Sequence, residues 1–328
     1  MKKTLIVALA CLCILGIAAA KLGWFKSKVL NKQQFQILIV SQVEIDPIVE
    51  LRKGFREEFT KSEFASKHNV SFVELNAQGD SALINQIADK VAVDKPNLVY
   101  VLGTPVAQAI QNRAPDVLLV QGAVTDPVAA GLAANWSGSG KKYIATSDLP
   151  PVATQLNLVH ELTPSAKKIG VIYNPGEANS VAVISRLREN ISDRFELVEK
   201  AVSNSADITT VLTTLYRRVD AIYIPPDNTA HAALPVIGRF CHDNKIPLYA
   251  SVQTALKSGA LATLSLDFVQ LGRESADLTL DVLNGKDPAT IPIAVNRNPA
   301  ISISSSTARL LGIDLHILDG KPNVTILE

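Results

Sequence analysis

From residue 36 onward the chain alternates short, almost continuously apolar runs with longer stretches of helical period, and this alternation restricts it to few architectures. The runs are QILIV, SFVEL, NLVYVLG and VLLVQGA, then KKIGVIY, FELVEKA, AIYIP, IPLYASV and LATLSLD. Runs this uniformly apolar suit strands covered on both faces by helices. Between them, stretches such as DPIVELRKGFREEFTKSEFASKH and SVAVISRLRENISDRF carry apolar residues at helical spacing. Strands alternating with helices of this length predict βαβ units, parallel sheets and an α/β fold.

The series runs twice. QILIVSQ (36–42) corresponds to KIGVIYN (168–174), NLVYVLGTPVAQAI (97–110) to DAIYIPPDNTAHAA (220–233), and VLLVQGAVTDP (117–127) to IPLYASVQTAL (246–256). Each pair keeps the order strand, polar turn, helix start. The pattern predicts two similar Rossmann-like lobes, divided near residues 140–150 where NWSGSGKK interrupts it. A chain of 328 residues with 47% hydrophobic content is large and apolar enough for two cores.

The first residues, MKKTLIVALACLCILGIAAAKLGWFK, have a charged start, an uncharged run and small residues at Ala18–Ala20. That is the pattern of a secretory leader over residues 1–20. The alternative is an uncleaved membrane anchor, with Leu22, Trp24 and Phe25 extending the run past a snorkelling Lys21. Cys11 and Cys13 lie inside the apolar run, which argues against a lipoprotein. Cleavage at Ala20 leaves Cys241 as the one cysteine, so no intramolecular disulfide forms and the fold relies on its core. Residues 21–35 then read as a linker. A formal net charge of +1 without a basic block excludes nucleic acid as a partner.

In open parallel sheets ligands sit beyond the carboxyl ends of the strands, where helix N-termini offer unpaired N–H groups. In the first half those positions hold Ser41 and Gln42, Gly103 and Thr104, and Thr125 and Asp126. In the second they hold Tyr173, Asn174, Glu177, Asn179 and Ser180, then Asp227 and Asn228, then Ser251, with Asp267 after the last strand. Each alone reads as a helix cap, Thr104-Pro105 and Asp126-Pro127 most clearly. Together, YNPGEANS and PPDNTA supply more polar groups than capping uses, and two facing lobes would aim them at one cleft. The turns contain Asp126, Glu177 and Asp227 but no lysine or arginine, which disfavours a purely anionic ligand. An ammonium group suits the acids. A carboxylate on the same molecule suits the hydroxyls and N–H groups near Thr104 and Ser180, a description that fits an amino acid. Tyr173 could pack against an apolar part of it.

Signatures of catalysis or of cofactor and metal binding are missing: the sequence has no Gly-rich phosphate loop, no HExxH and no paired cysteines. No cofactor is expected. His68, His160, His231, His242 and His316 lack metal-ligand spacing and read as surface or capping residues, with His231 singled out by its closeness to Asp227. Cys241, in VIGRFCHDN, reads as core.

The segments GTPVAQAI, AVTDPVAAGL, SDLPPVATQLNLVHELTPSAKKIGVIYNPGEANS, VDAIYIPPDNT, SGALATLSLDFVQLGRESAD and ISISSSTARLLGI resemble the ABC-transporter substrate-binding family that includes tryptophan-type and other aromatic amino-acid binding proteins. The resemblance covers residues 36–316 and implies a type I periplasmic-binding-protein fold, with crossover strands joining the lobes and hinge closure over a ligand. It implies lobes of residues 36–145 plus about 268–296, and 146–267 plus about 297–328. It places Thr104, Thr125 and Asp126 on the first wall of the cleft, and Asn174, Glu177, Asn179, Ser180, Asp227 and Asn228 on the second. It also implies a permease and ATPase complex as partners, and a location in the periplasm or on the outer face of the cytoplasmic membrane. The alternative function is a membrane-tethered ligand-sensing domain without a transport role. Two departures stand out: GKKYIATSD replaces the family's usual Gly-Asn-Val-Thr-Gly stretch before the Ser-Asp pair, which leaves the role of Thr146–Asp148 open, and Pro226 stands where a threonine is common.

Overall fold

The computed structural model describes residues 33–138, 140, 142–191, 193–295 and 299–328. The expected leader or anchor and most of the expected linker lie outside these residues, and Gln34 and Phe35 already belong to the first strand. The first sheet contains β1 (Gln34–Ser41), β2 (Asn69–Asn76), β3 (Leu98–Leu102), β4 (Leu119–Gly122), β5 (Tyr143–Ser147) and β11 (Ala294–Val295). The second contains β6 (Lys168–Tyr173), β7 (Glu196–Ala201), β8 (Ala221–Ile224), β9 (Leu248–Ala250), β10 (Ala262–Ser265), β12 (Ala300–Ser304) and β13 (Val324–Leu327).

The sheet orders are β11-β5-β4-β3-β1-β2 and β13-β12-β10-β9-β8-β6-β7. The segment β2-β1-β3-β4-β5 therefore has the same topology as β7-β6-β8-β9-β10, so the internal repeat is one of structure. Pairing is parallel throughout both series, with β12 antiparallel to β10. The central strands are buried along their length, LVYVL and AIYI among them, whereas the edge strands β2 and β7 are largely accessible.

Helices α1 (Asp46–Lys61), α2 (Glu63–Lys67), α3 (Ser81–Asp94) and α4 (Thr104–Arg113) belong to the first lobe. The second carries α5 (Val152–Leu162), α6 (Ala178–Asn190), α7 (Ile208–Leu215), α8 (Asn228–Ala232), α9 (Leu234–Asp243) and α11 (Ser305–Leu311). Cys241, on α9, is a free thiol in the core, and burial pushes its pKa up to about 12. The chain passes between the sheets after β5, after β10 and again between β11 and β12. After β10, α10 (Phe268–Leu283) returns to pack along α1.

The α1–α10 contact is close enough to require glycine on both helices. A Cβ at Gly272 would lie 2.2 Å from the Leu51 carbonyl oxygen, and one at Gly54 would lie 2.0 Å from that of Val269. Both obstacles are backbone, so no side-chain rotation relieves them. Since α10 follows directly on a crossover, this packing fixes how the second lobe is joined to the first. We predict that Gly272→Ala lowers stability by roughly 2 kcal/mol or more in denaturant unfolding. An unchanged midpoint would contradict so close an approach.

Candidate functional site

The carboxyl ends of both strand series face each other across one cavity. The polar wall comprises Thr104, Thr125 and Asp148 from the first lobe and crossover, and Asn179, Asp227, Asn228, His231 and Ser251 from the second. The apolar wall includes Ile45, Ile48, Val252, Leu264, Leu266 and Phe268. Among the described residues no lysine or arginine lines it. In this topology the order reverses between β1 and β3, and between β6 and β8, and Thr104, Asp227 and Asn228 sit at those switch points.

Thr104 was open to a reading as a cap, but Gly103 takes that position, with φ of 109° and no side chain to cap the helix. Thr104 becomes the first residue of α4. Its Oγ1 is buried, with no partner among the described residues. The first N–H groups of a helix lack intrahelical acceptors and carry the positive end of its dipole. This corner of the cavity is therefore a donor site for an anionic group.

The acids are placed unequally. Glu177 does not line the cavity. Its Oε2 accepts from the Asn228 N–H (3.1 Å) and Asn228 Nδ2 (2.7 Å), and its Oε1 from the Thr229 N–H (3.2 Å) and Thr229 Oγ1 (2.7 Å). It serves as the acceptor for the start of α8 and stands behind the cavity wall rather than in it. Asp227 lines the cavity but caps α8 through the Ala230 N–H (2.7 Å), while its other oxygen accepts from Ser180 Oγ and the Asn174 N–H, both at 2.6 Å. Burial, and secondly the charge of Glu177, raise its pKa.

Asp148, just beyond β5 on the first crossover, has fewer obligations. Thr125 Oγ1 donates to it at 2.7 Å, and Ser147 Oγ bonds the Thr125 carbonyl at 2.6 Å to hold this corner in place. No ion pair reaches Asp148 among the described residues. Asp148 is half-buried in the cavity wall, and burial pushes its pKa up to about 6 against the pull of the Thr125 hydroxyl. Asn179 donates to the Pro226 carbonyl at 3.0 Å, and its Oδ1 is buried without a partner among the described residues.

The remaining expected site residues stand behind the wall. Asn174 shapes the turn, accepting from the Gly176 N–H at 2.9 Å and donating to Thr229 at 2.9 Å. Ser180 holds Asp227, and Tyr173 is half-buried against the second-lobe core. Gln42 and Asp126 join the lobes instead: Asn228 Nδ2 donates to Gln42 Oε1 at 3.0 Å, and Arg186 Nη2 of α6 meets Asp126 Oδ2 at 2.7 Å. Asp126 also caps its own turn through the Ala129 N–H. His231, expected at the surface or as a cap, is buried in the wall, and burial lowers its pKa to about 4. Sequence reasoning missed Asp148 as a wall residue; the signal lay in its position directly after a strand at the lobe boundary.

Two α/β lobes with matching strand-end turns, closed over a cavity by bonds from one lobe to the other, define a bilobal solute-binding protein. The chain matches the family of ABC transporter substrate binding proteins over residues 36–317 and belongs to it. It is 35% identical over 282 residues to a tyrosine-binding protein of Clostridioides difficile, covering 86% of this chain and 82% of the relative. Among solved structures it resembles an ABC domain from Streptococcus pneumoniae in complex with L-Trp, with a TM-score of 0.83, 25% identity, and coverage of 89% of this chain and 100% of that one. The ligand-free, open structure of a Clostridium difficile substrate-binding protein with adhesive properties scores 0.68 at 30% identity, covering 90% and 99%. The lower score at higher identity accords with the closed arrangement seen in the Gln42–Asn228 and Asp126–Arg186 contacts.

Two outcomes follow from the unequal acids. Removing the Glu177 carboxylate leaves two part-buried N–H groups without their acceptor, so Glu177→Ala should cost roughly 1–3 kcal/mol in ligand-free unfolding. Burial raises the pKa of Asp148 from the ordinary 3.8 to about 6, and opening of the cleft, by hydrating the carboxyl, should return it toward the ordinary value. The closed form holds the extra proton between those values, so closure of the ligand-free protein is favoured as pH falls through about 6 and opposed above it, by up to about 3 kcal/mol. Asp227 shifts in the same direction. Small-angle scattering should show compaction of the ligand-free protein from about pH 7.5 to about pH 5, weaker in Asp148→Asn. An unchanged radius of gyration would contradict the burial of Asp148.

Proposed function

We infer that this substrate-binding protein takes a free α-amino acid with an apolar, aromatic side chain and presents it to a membrane permease and its ATPase. The observation that carries this reading is one cavity holding two carboxylates, no basic residue among the described residues, and an uncapped helix start bearing a hydroxyl with no partner among them. An ammonium group would meet Asp148, with Asn179 Oδ1 and Asp227 beside it. An α-carboxylate would meet Thr104 Oγ1 and the first N–H groups of α4. Ile45, Ile48, Val252, Leu266 and Phe268 would enclose the side chain. A sugar would leave the charge on Asp148 unmatched in a closed cleft, and a phosphate would repel it. The relatives named for tyrosine and bound to L-Trp support the same ligand class.

The protein works outside the cytoplasm as a member of its family, and we propose the periplasm or the outer face of the cytoplasmic membrane as the site. Among the described residues no helix is long and apolar enough to cross a membrane. Attachment by an uncleaved N-terminal segment would leave the binding reaction unchanged.

Calorimetry against the common amino acids, with hexoses and nucleosides as controls, tests the ligand class. Aromatic amino acids should bind, and Asp148→Asn should weaken them by on the order of 100-fold or more, the loss expected when one partner of a buried ion pair is removed. Binding of a sugar in preference to any amino acid would overturn the reading.

A further inference from the structure

One carboxylate behind the cavity wall gathers two asparagines that line it. Glu177 accepts the Asn228 N–H on Oε2 and the Thr229 N–H on Oε1, so both of its oxygens act as acceptors. Oε2 is also reached by Asn228 Nδ2 at 2.7 Å and by Asn179 Nδ2 at 3.3 Å, so the two amides stand side by side. Asn179 and Asn228 line the cavity, and Glu177 does not.

These contacts decide which way each amide turns. The Asn228 atom that meets Oε2 must be the donor, its nitrogen, and the Gln42 atom 3.0 Å from that nitrogen must then be the oxygen. Asn179 meets the Pro226 carbonyl at 3.0 Å, and a carbonyl only accepts, so the nitrogen is fixed there too. With both nitrogens engaged by the protein, the oxygens are what the two amides offer a ligand. Among the described residues neither Asn179 Oδ1 nor Asn228 Oδ1 receives a hydrogen bond, and Asn179 Oδ1 is buried.

The backbone agrees with the side chains. The N–H groups of Asn228, Thr229 and Ala230 at the start of α8 are all taken, by Glu177 and Asp227, so this corner offers acceptors. The Thr104 corner offers donors, and the two adjoin: a Cβ on Gly103 would lie 3.6 Å from Gln42 Oε1, the atom that Asn228 meets. An α-amino acid requires that adjacency, because its ammonium and carboxylate share one carbon. Helix α6 turns Asn179 toward the Asp148 side. Arg186, about two turns further along the same face, meets Asp126, the neighbour of the Thr125 whose hydroxyl holds Asp148.

We propose that Asn179 and Asn228 are specificity-determining acceptors that, together with Asp148, read the three N–H bonds of a primary ammonium group. Glu177 is the positioning residue that holds both amides with their oxygens toward the ligand. A secondary ammonium carries the same charge with one N–H fewer, and leaves one acceptor unpaired.

This inference rests on the amino-acid reading, and the experiment separates the two. Calorimetry of the full-length protein compares L-tryptophan and L-tyrosine with their N-methyl derivatives. N-methylation should weaken binding about tenfold or more, the cost of one buried acceptor left unpaired. Asn179→Leu and Asn228→Leu keep the side-chain bulk and lose the acceptor, so in each the ratio should fall to within about threefold. Glu177→Met frees the amides to turn and should lower the ratio in the same way, whereas a merely structural role would weaken both ligands alike and leave the ratio unchanged. A ratio near one in the unaltered protein, or one that survives in either leucine variant or in Glu177→Met, would overturn this inference and leave the amino-acid reading standing. If Glu177→Met does not fold, the leucine variants decide. Failure to bind any amino acid would overturn both.

Discussion

A carboxylate that closure buries without a cation of its own is the constraint on which this structure turns. Of Glu177, Asp126, Asp227 and Asp148 at the strand ends, the first three are satisfied internally. Glu177 receives the N–H groups at the start of α8, Asp126 receives Arg186, and Asp227 caps α8 while accepting from Ser180 and Asn174. Asp148 has the Thr125 hydroxyl and the cavity. Desolvating an ionised carboxylate is costly unless a countercharge accompanies it. On the proposed reading, a positive charge on the ligand would supply that countercharge as the cleft closes at neutral pH.

The contacts that cross the cleft are modest by comparison. Arg186 is 39% exposed in its pair with Asp126, and a pair with one solvated partner contributes at most about 1 kcal/mol. The Asn228–Gln42 hydrogen bond has a net worth of similar size. Neither offsets the charge on Asp148 alone. The balance favours an open ligand-free form at neutral pH and a closed liganded one, which is the population shift a transport receptor needs. Asn228 links the two parts of this arrangement, since it donates to Gln42 across the cleft and to Glu177 beneath it. Glu177 thus acts on binding from behind the wall.

The architecture was legible in the sequence because burial on both faces writes itself as unbroken apolar runs, and because the series repeats. The polar wall was legible only in part. Position after a strand marks Thr104, Thr125, Asn179, Asp227 and Asn228, all of which line the cavity, but it marks Glu177, Asn174 and Ser180 equally. What separates the two groups is which hydrogen bonds are already satisfied, a property of tertiary contacts such as Glu177 with Thr229. Arg186 was invisible for a related reason: it lies well inside α6, where sequence gives no hint that it reaches the opposite lobe. The apolar wall draws on Leu266 and Phe268 at the second crossover, whose orientation depends on the α1–α10 packing rather than on local pattern.

The two ends of the cavity differ in how severely they discriminate. At the head-group end, a ligand lacking an ammonium leaves the charge on Asp148 buried, and one lacking a carboxylate leaves Thr104 Oγ1 without a partner. Unpaired buried groups are penalised more heavily than a paired one is favoured, so selection there is by exclusion. At the apolar end, Ile45, Ile48, Val252, Leu266 and Phe268 leave no polar group of their own unpaired whichever apolar group enters, so selection there is by fit.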